Sequence, residues 1–69
     1  MKILRISYTE NYKFGNTEME AYVYETREHE KDEWEFRYAC AITEDGNIPY
    51  QALTQVRYHM NLGYKVVWA

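Results

Sequence analysis

Apolar and polar residues alternate through "KILRISYT", with Leu4, Ile6 and Tyr8 on one side of an extended chain and Ile3, Arg5 and Ser7 on the other. That period of two predicts a β-strand. Gly15-Asn16 follows as a two-residue hairpin signal, since glycine takes the positive φ that a primed turn requires. Pairing outward from this turn sets Tyr12 opposite Met19 and Tyr8 opposite Val23, all on one face. Glu10 would then fall on the same apolar row opposite Ala21, so a β-bulge or an open end is expected there.

The second strand is expected from Thr17 to Arg27 and the third from Asp32 to Thr43, with "EHEK" between them as a polar loop. The register that extends the apolar row places Val23 opposite Phe36, Ala21 opposite Tyr38 and Met19 opposite Cys40. A slip of one residue would expose Trp34 and Phe36, so pattern and pairing reinforce each other. "EDGN" reads as a turn. "IPYQALTQVRYHMNLG" then reads as a helix, with Pro49 at its first position and Gly63 after its last turn. Ala52, Leu53, Val56 and Met60 form one apolar stripe. Tyr50, Thr54, Arg57, Tyr58 and Asn61 lie mostly on the other side. "YKVVWA" closes the chain as a short strand, parallel to the third and beside the first. The expected fold is a single α+β domain over residues 1–69: a small antiparallel sheet in β-β-β-α-β order with one helix packed on one face.

One helix covers one face of a sheet. The expected core is Leu4, Ile6, Tyr8, Met19, Val23, Phe36, Tyr38, Cys40 and Ile42 under Leu53, Val56 and Met60. The uncovered face then holds Ile3, Arg5, Ser7, Glu20, Tyr22, Tyr24, Thr26, Glu35, Arg37, Ala39, Ala41 and Val67. Such a row is more aromatic and apolar than a solvated face requires.

Composition sharpens this picture. Twelve of 69 residues are aromatic, eight of them tyrosines, which gives a short chain large rings to bury. The lone Cys40 excludes an intramolecular disulfide and fits a reducing, cytoplasmic setting. No run is long and apolar enough for a membrane helix, and no signal peptide is read. The net charge of −3 is unevenly spread: residues 18–42 hold eight of the eleven acids, while residues 46–69 hold none. That balance disfavours nonspecific nucleic-acid binding and points to an electrostatically polarised molecule.

Catalytic chemistry finds little footing. "EHEKDE", Glu28 to Glu33, offers His and carboxylates, but alternating loop residues point apart, so it reads as a solvated loop and no metal site is expected. His59 reads as a residue at the boundary of the helix stripe, and Cys40 as a packed thiol. There is no phosphate-binding glycine loop and no cofactor is implied. The chain is read as non-enzymatic. By association alone, such small acidic chains are frequent among accessory proteins, including those of viruses and mobile elements.

The leading expectation is a protein-interaction module, an inhibitor or adaptor that binds a basic surface of another protein. Its contact residues would be Tyr22, Tyr24, Arg37, Glu28, Glu30, Glu33, Glu35 and Tyr58, the carboxylates steering and the rings anchoring. Homodimerisation through the uncovered face would satisfy the same pattern. The alternative is single-stranded nucleic-acid binding, with Tyr22 and Tyr24 stacking bases near Arg5, Arg37 and Lys65. Glu20 and Glu35 on that face oppose it.

Overall fold

The computed structural model describes residues 1–42 and 50–69. The expected "EDGN" turn, the end of the third strand at Thr43 and the helix-starting Pro49 lie outside the described residues. The elements are β1 (Ile3–Phe14), β2 (Thr17–Arg27), β3 (Glu35–Ala41), α1 (Tyr50–Asn61) and β4 (Lys65–Trp68). They build one sheet in the order β3-β2-β1-β4, and the fold class is the expected α+β. β1 is antiparallel to β2, β2 is antiparallel to β3, and β4 lies parallel beside β1.

The first hairpin turns at Gly15, whose φ is 66°, while no other residue type among those described has positive φ. Positive φ at the first central position alone is the pattern of a type II′ turn. Tyr12 pairs with Met19 as expected. The ladder then breaks between Thr9 and Tyr12, where β1 has two residues and β2 has only Glu20. This is the bulge that Glu10 foreshadowed, and it keeps that carboxylate off the core row.

Its consequence reverses the expected facing of β2. Beyond the bulge the pairs are Tyr8 with Tyr22, Ile6 with Tyr24 and Leu4 with Thr26. Tyr22, Tyr24 and Thr26 therefore share the face of Leu4 and Ile6, and Met19 and Val23 turn to the other side. β3 follows suit, with Tyr24 opposite Tyr38, Tyr22 opposite Cys40 and Val23 opposite Ala39. A second irregularity makes Arg37 an extra residue between Tyr38 and Phe36, so Phe36 pairs with Glu25 on the face away from the core. The expected pairing of Val23 with Phe36 is not formed: Val23 lies opposite Ala39, and Phe36 lies opposite Glu25.

The core is Leu4, Ile6, Tyr24, Cys40 and Ala52, flanked by Tyr22, Tyr38, Val56, Tyr64 and Val66. Tyr24 packs edge-on to Tyr38 at 5.7 Å and donates its hydroxyl to the Ala52 carbonyl at 3.2 Å. The ring thus serves as wall and tether, with the edge-to-face pair adding roughly 0.5–1.5 kcal/mol. Burial pushes the Cys40 thiol pKa up, which suits a packed, unreactive side chain.

The helix meets the sheet through Ala52, Val56 and His59, while Leu53 and Met60 are exposed. The expected stripe is rotated because large sheet tyrosines leave room only for Ala52 above them. At the other end the His59 ring is buried, while its backbone carbonyl takes part in the helix cap. Gly63 N donates to Met60 O at 3.0 Å and Tyr64 N to His59 O at 3.0 Å, the paired bonds of a Schellman motif. Gly63 carries the required left-handed φ of 90°. Gly63→Ala should cost about 1–2 kcal/mol for that conformation, read as a lower denaturant midpoint with unchanged slope.

Candidate functional site

The connection from β2 to β3 is the acidic part of the molecule, and it is shaped. Asp32 N donates to His29 O at 3.0 Å, and His29 N donates to Asp32 Oδ2 at 3.2 Å. These bonds close a turn over 29–32, with the Asp32 side chain satisfying a backbone donor. Glu28, Glu30 and Glu33 are all exposed around it. Where the connection rejoins the sheet, a groove of about 640 Å³ opens, lined by Glu28, Asp32, Glu33 and Glu35 with Arg27, Arg37 and Trp34 among its walls.

Arginine contacts on both faces of the sheet frame the groove. The Arg37 guanidinium donates to Thr26 Oγ1 and to Glu35 Oε2, each at 2.8 Å. Arg37 can reach the buried Thr26 because the bulge turns it toward the helix-covered side. On the opposite face, Arg5 donates to Glu25 at 2.8 Å and lies 4.0 Å from the Trp34 ring centroid, with Arg27 4.4 Å from it. Trp34 is thus a half-buried clasp on two guanidiniums, where a core position was expected. Such cation–π contacts are worth about 0.5–2 kcal/mol each. The Nε atoms of Arg5 and Arg27 are buried without partners, so stacking and the Glu25 ion pair are what hold these side chains.

The helix-free face is not the open aromatic surface expected. Its middle row holds Ala21, Val23, Ala39 and Ala41, and Ala21 is fully buried there. Tyr12, beside Met19, reaches Phe36, beside Glu25, with the rings stacked at 6.4 Å. Phe14 joins Tyr12 at 4.8 Å. These rings span the alanine row from both ends.

The expected contact residues separate into three places. Glu28, Glu33, Glu35 and Arg37 converge on the groove, with Glu30 on the same turn. Tyr22 and Tyr24 do not join them; they stand on the helix-covered face, Tyr24 at 1% exposure, because the bulge at Glu10 reverses β2. Tyr58 is exposed on α1, in a depression it shares with Arg37, His59 and Tyr64. Phe36, Trp34 and Arg27 are the residues that sequence reasoning missed. Phe36 belongs to the core expected from the sequence, yet it is 57% exposed at the root of the acidic connection. An arginine interrupting an otherwise apolar strand, Arg37, is the signal that could have revealed the second bulge and hence the outward Phe36.

Chemically, the groove combines four carboxylates with two guanidiniums, one of which Glu35 already pairs. That balance attracts cations. Among the described residues no three His, Cys, Asp or Glu side chains are grouped to hold a metal ion, and no helix is long and apolar enough to cross a membrane. His59 is buried and its Nδ1 donates to the Gln55 carbonyl at 2.8 Å, its ring packed edge-on against Tyr58 and Tyr64. Those bonds assign it to the helix end. No family model, curated protein or solved structure matches the chain, so the functional reading rests on this geometry.

Proposed function

We propose that the chain is a non-enzymatic protein-interaction module, acting as an inhibitor or adaptor, that docks on a basic surface of another protein. The β2–β3 connection supplies the carboxylates that steer the encounter, and Phe36 supplies the buried anchor. One observation carries the reading: a large ring, more than half exposed, stands at the root of a turn-locked acidic loop. Interfaces draw most of their energy from a few such rings while surrounding charges set rate and register. The lone buried thiol of Cys40 suits a cytoplasmic setting.

Base stacking by Tyr22 and Tyr24 loses its support, since Tyr24 is buried and its hydroxyl is committed to Ala52. The test of the favoured reading is Phe36→Ala. Because the side chain is largely exposed, stability should change by less than about 1 kcal/mol. Affinity for a basic partner recovered from nuclease-treated lysate should fall by roughly thirtyfold or more, the effect of removing a hot-spot ring. Unchanged affinity in isothermal titration would remove Phe36 from the interface and the reading with it.

A further inference from the structure

A recess of about 280 Å³ opens at the end of α1 that leads into β4, lined by Arg37, Gln55, Tyr58, His59, Leu62 and Tyr64. Of these side chains His59 is the one almost wholly buried, at 5% exposure. Its Nδ1 lies 2.8 Å from the Gln55 carbonyl, which can only accept, so Nδ1 carries the proton. In the neutral imidazole Nε2 is then a lone-pair acceptor, and it has no hydrogen-bond partner among the described residues. The enclosed side-chain polar atoms without a partner among those residues are Nε of Arg5 and Nε of Arg27 alone, so Nε2 of His59 keeps an opening. Tyr58 and Tyr64 flank the imidazole edge-on at 5.3 and 5.2 Å and fix its position. At the rim the Arg37 guanidinium is held by Thr26 and Glu35, each at 2.8 Å.

We propose that this recess binds one flat, electron-rich ring bearing an N–H or O–H donor, the indole and phenol class. The donor pairs with Nε2 of His59, the ring face meets the Arg37 guanidinium, and the ring edge packs on Leu62. Each wall disfavours another class of ligand. An anion would face the Nε2 lone pair and the Glu35 carboxylate that already neutralises Arg37. A cation would face Arg37 itself. A wholly apolar group would leave the Nε2 acceptor desolvated and unpaired, which costs binding free energy. Guanidiniums, by contrast, stack favourably on electron-rich ring faces. Size agrees: a cavity of about 150 Å³ admits benzene, so this recess has room for one bicyclic ring. A free heteroaromatic molecule and a tryptophan or tyrosine side chain of a partner carry the same chemistry. The site is independent of the proposed docking surface, since it uses neither the acidic turn nor Phe36.

The test uses the full chain, isotope-labelled, titrated separately with indole, with N-methylindole and with a short end-blocked peptide carrying one tryptophan. Amide shifts with indole should centre on Arg37 and residues 55–64, with a dissociation constant of about 1 mM or tighter. N-methylindole keeps the ring and loses the donor, so it should bind at least about tenfold more weakly. In His59→Phe the two probes should bind alike, because the acceptor is gone and the ring volume is kept. The comparison of the two probes on the parent chain stands whether or not that variant folds. Binding of the peptide as well as indole supports a partner's side chain as the source, and binding of indole alone supports a free molecule. Equal binding of indole and N-methylindole by the parent chain would overturn the proposal. So would a His59→Phe chain that still prefers indole, shifts centred elsewhere, or no shifts at roughly tenfold above the expected dissociation constant. Failure on these readouts leaves the docking of the acidic turn and Phe36 standing, and its failure leaves the recess standing.

Discussion

Tyr24→Ala should lower the unfolding free energy by about 3–5 kcal/mol, the range for deleting a large buried ring. A domain of this size holds roughly 3–10 kcal/mol in total, so the variant should lose about a third or more of its stability. The magnitude follows from where the ring stands. Tyr24 is 1% exposed between the Ile6 and Tyr38 positions of its neighbours, and its hydroxyl holds the Ala52 carbonyl. Tyr24→Phe keeps the ring and loses that bond, so it should cost only about 1 kcal/mol. Circular dichroism in urea separates the three proteins. A Tyr24→Ala chain as stable as the parent would put the ring outside the core and overturn the reversed facing of β2.

The same residue sets an alkaline limit. Burial, with smaller contributions from Cys40 and Tyr38, pushes the Tyr24 hydroxyl up to about 12, against about 10 in an unfolded chain. The folded state thus holds a proton that the unfolded state gives up first. The stabilisation is complete below about pH 10 and is lost as pH rises toward 12. In Tyr24→Phe that part of the alkaline decline should be absent.

Reversing Glu28, Glu30 and Glu33 to Lys should have the largest effect on binding while leaving the fold intact. All three are exposed, and the substitutions move the formal net charge from −3 to +3. Surface changes of this kind alter stability by less than about 0.5 kcal/mol each. Association with a basic partner should slow by about 10–10³-fold at low salt, because steering depends on the local potential. The difference should shrink as salt rises and screening shortens the reach of the field. Stopped-flow association at two ionic strengths measures both. Faster association of the reversed chain would mean that the partner is acidic at this surface.

Much of the architecture is legible in the chain because each element carries its own punctuation. Alternation in "KILRISYT", Gly15 in the turn and Gly63 past the helix act locally, and the structure keeps them. Facing is different, because one extra residue inverts everything beyond it. Glu10 marked the bulge, but carrying the pairing straight through it left Tyr22 and Tyr24 outside. Arg37 did the same to Phe36 in β3. The helix was rotated for a third reason. Hydrophobicity favoured Leu53 and Met60, whereas volume favoured Ala52 against tyrosines, and the His59 ring is buried with its Nδ1 satisfied by the Gln55 carbonyl and Tyr64 packed edge-on against it. Of the site, the acidic turn was readable as composition. Its groove was not, since that depends on Trp34 seated on two arginines that lie far apart in sequence.

The most direct test of the interaction surface is amide hydrogen exchange of the chain, free and bound to a basic protein captured from nuclease-treated lysate at low salt. New protection is expected across residues 28–37, centred on the acidic turn and Phe36, and it should disappear in the Glu28, Glu30 and Glu33 reversal. Protection confined to the Gly15 hairpin tip or to β4, with residues 28–37 exchanging as in the free chain, would contradict it.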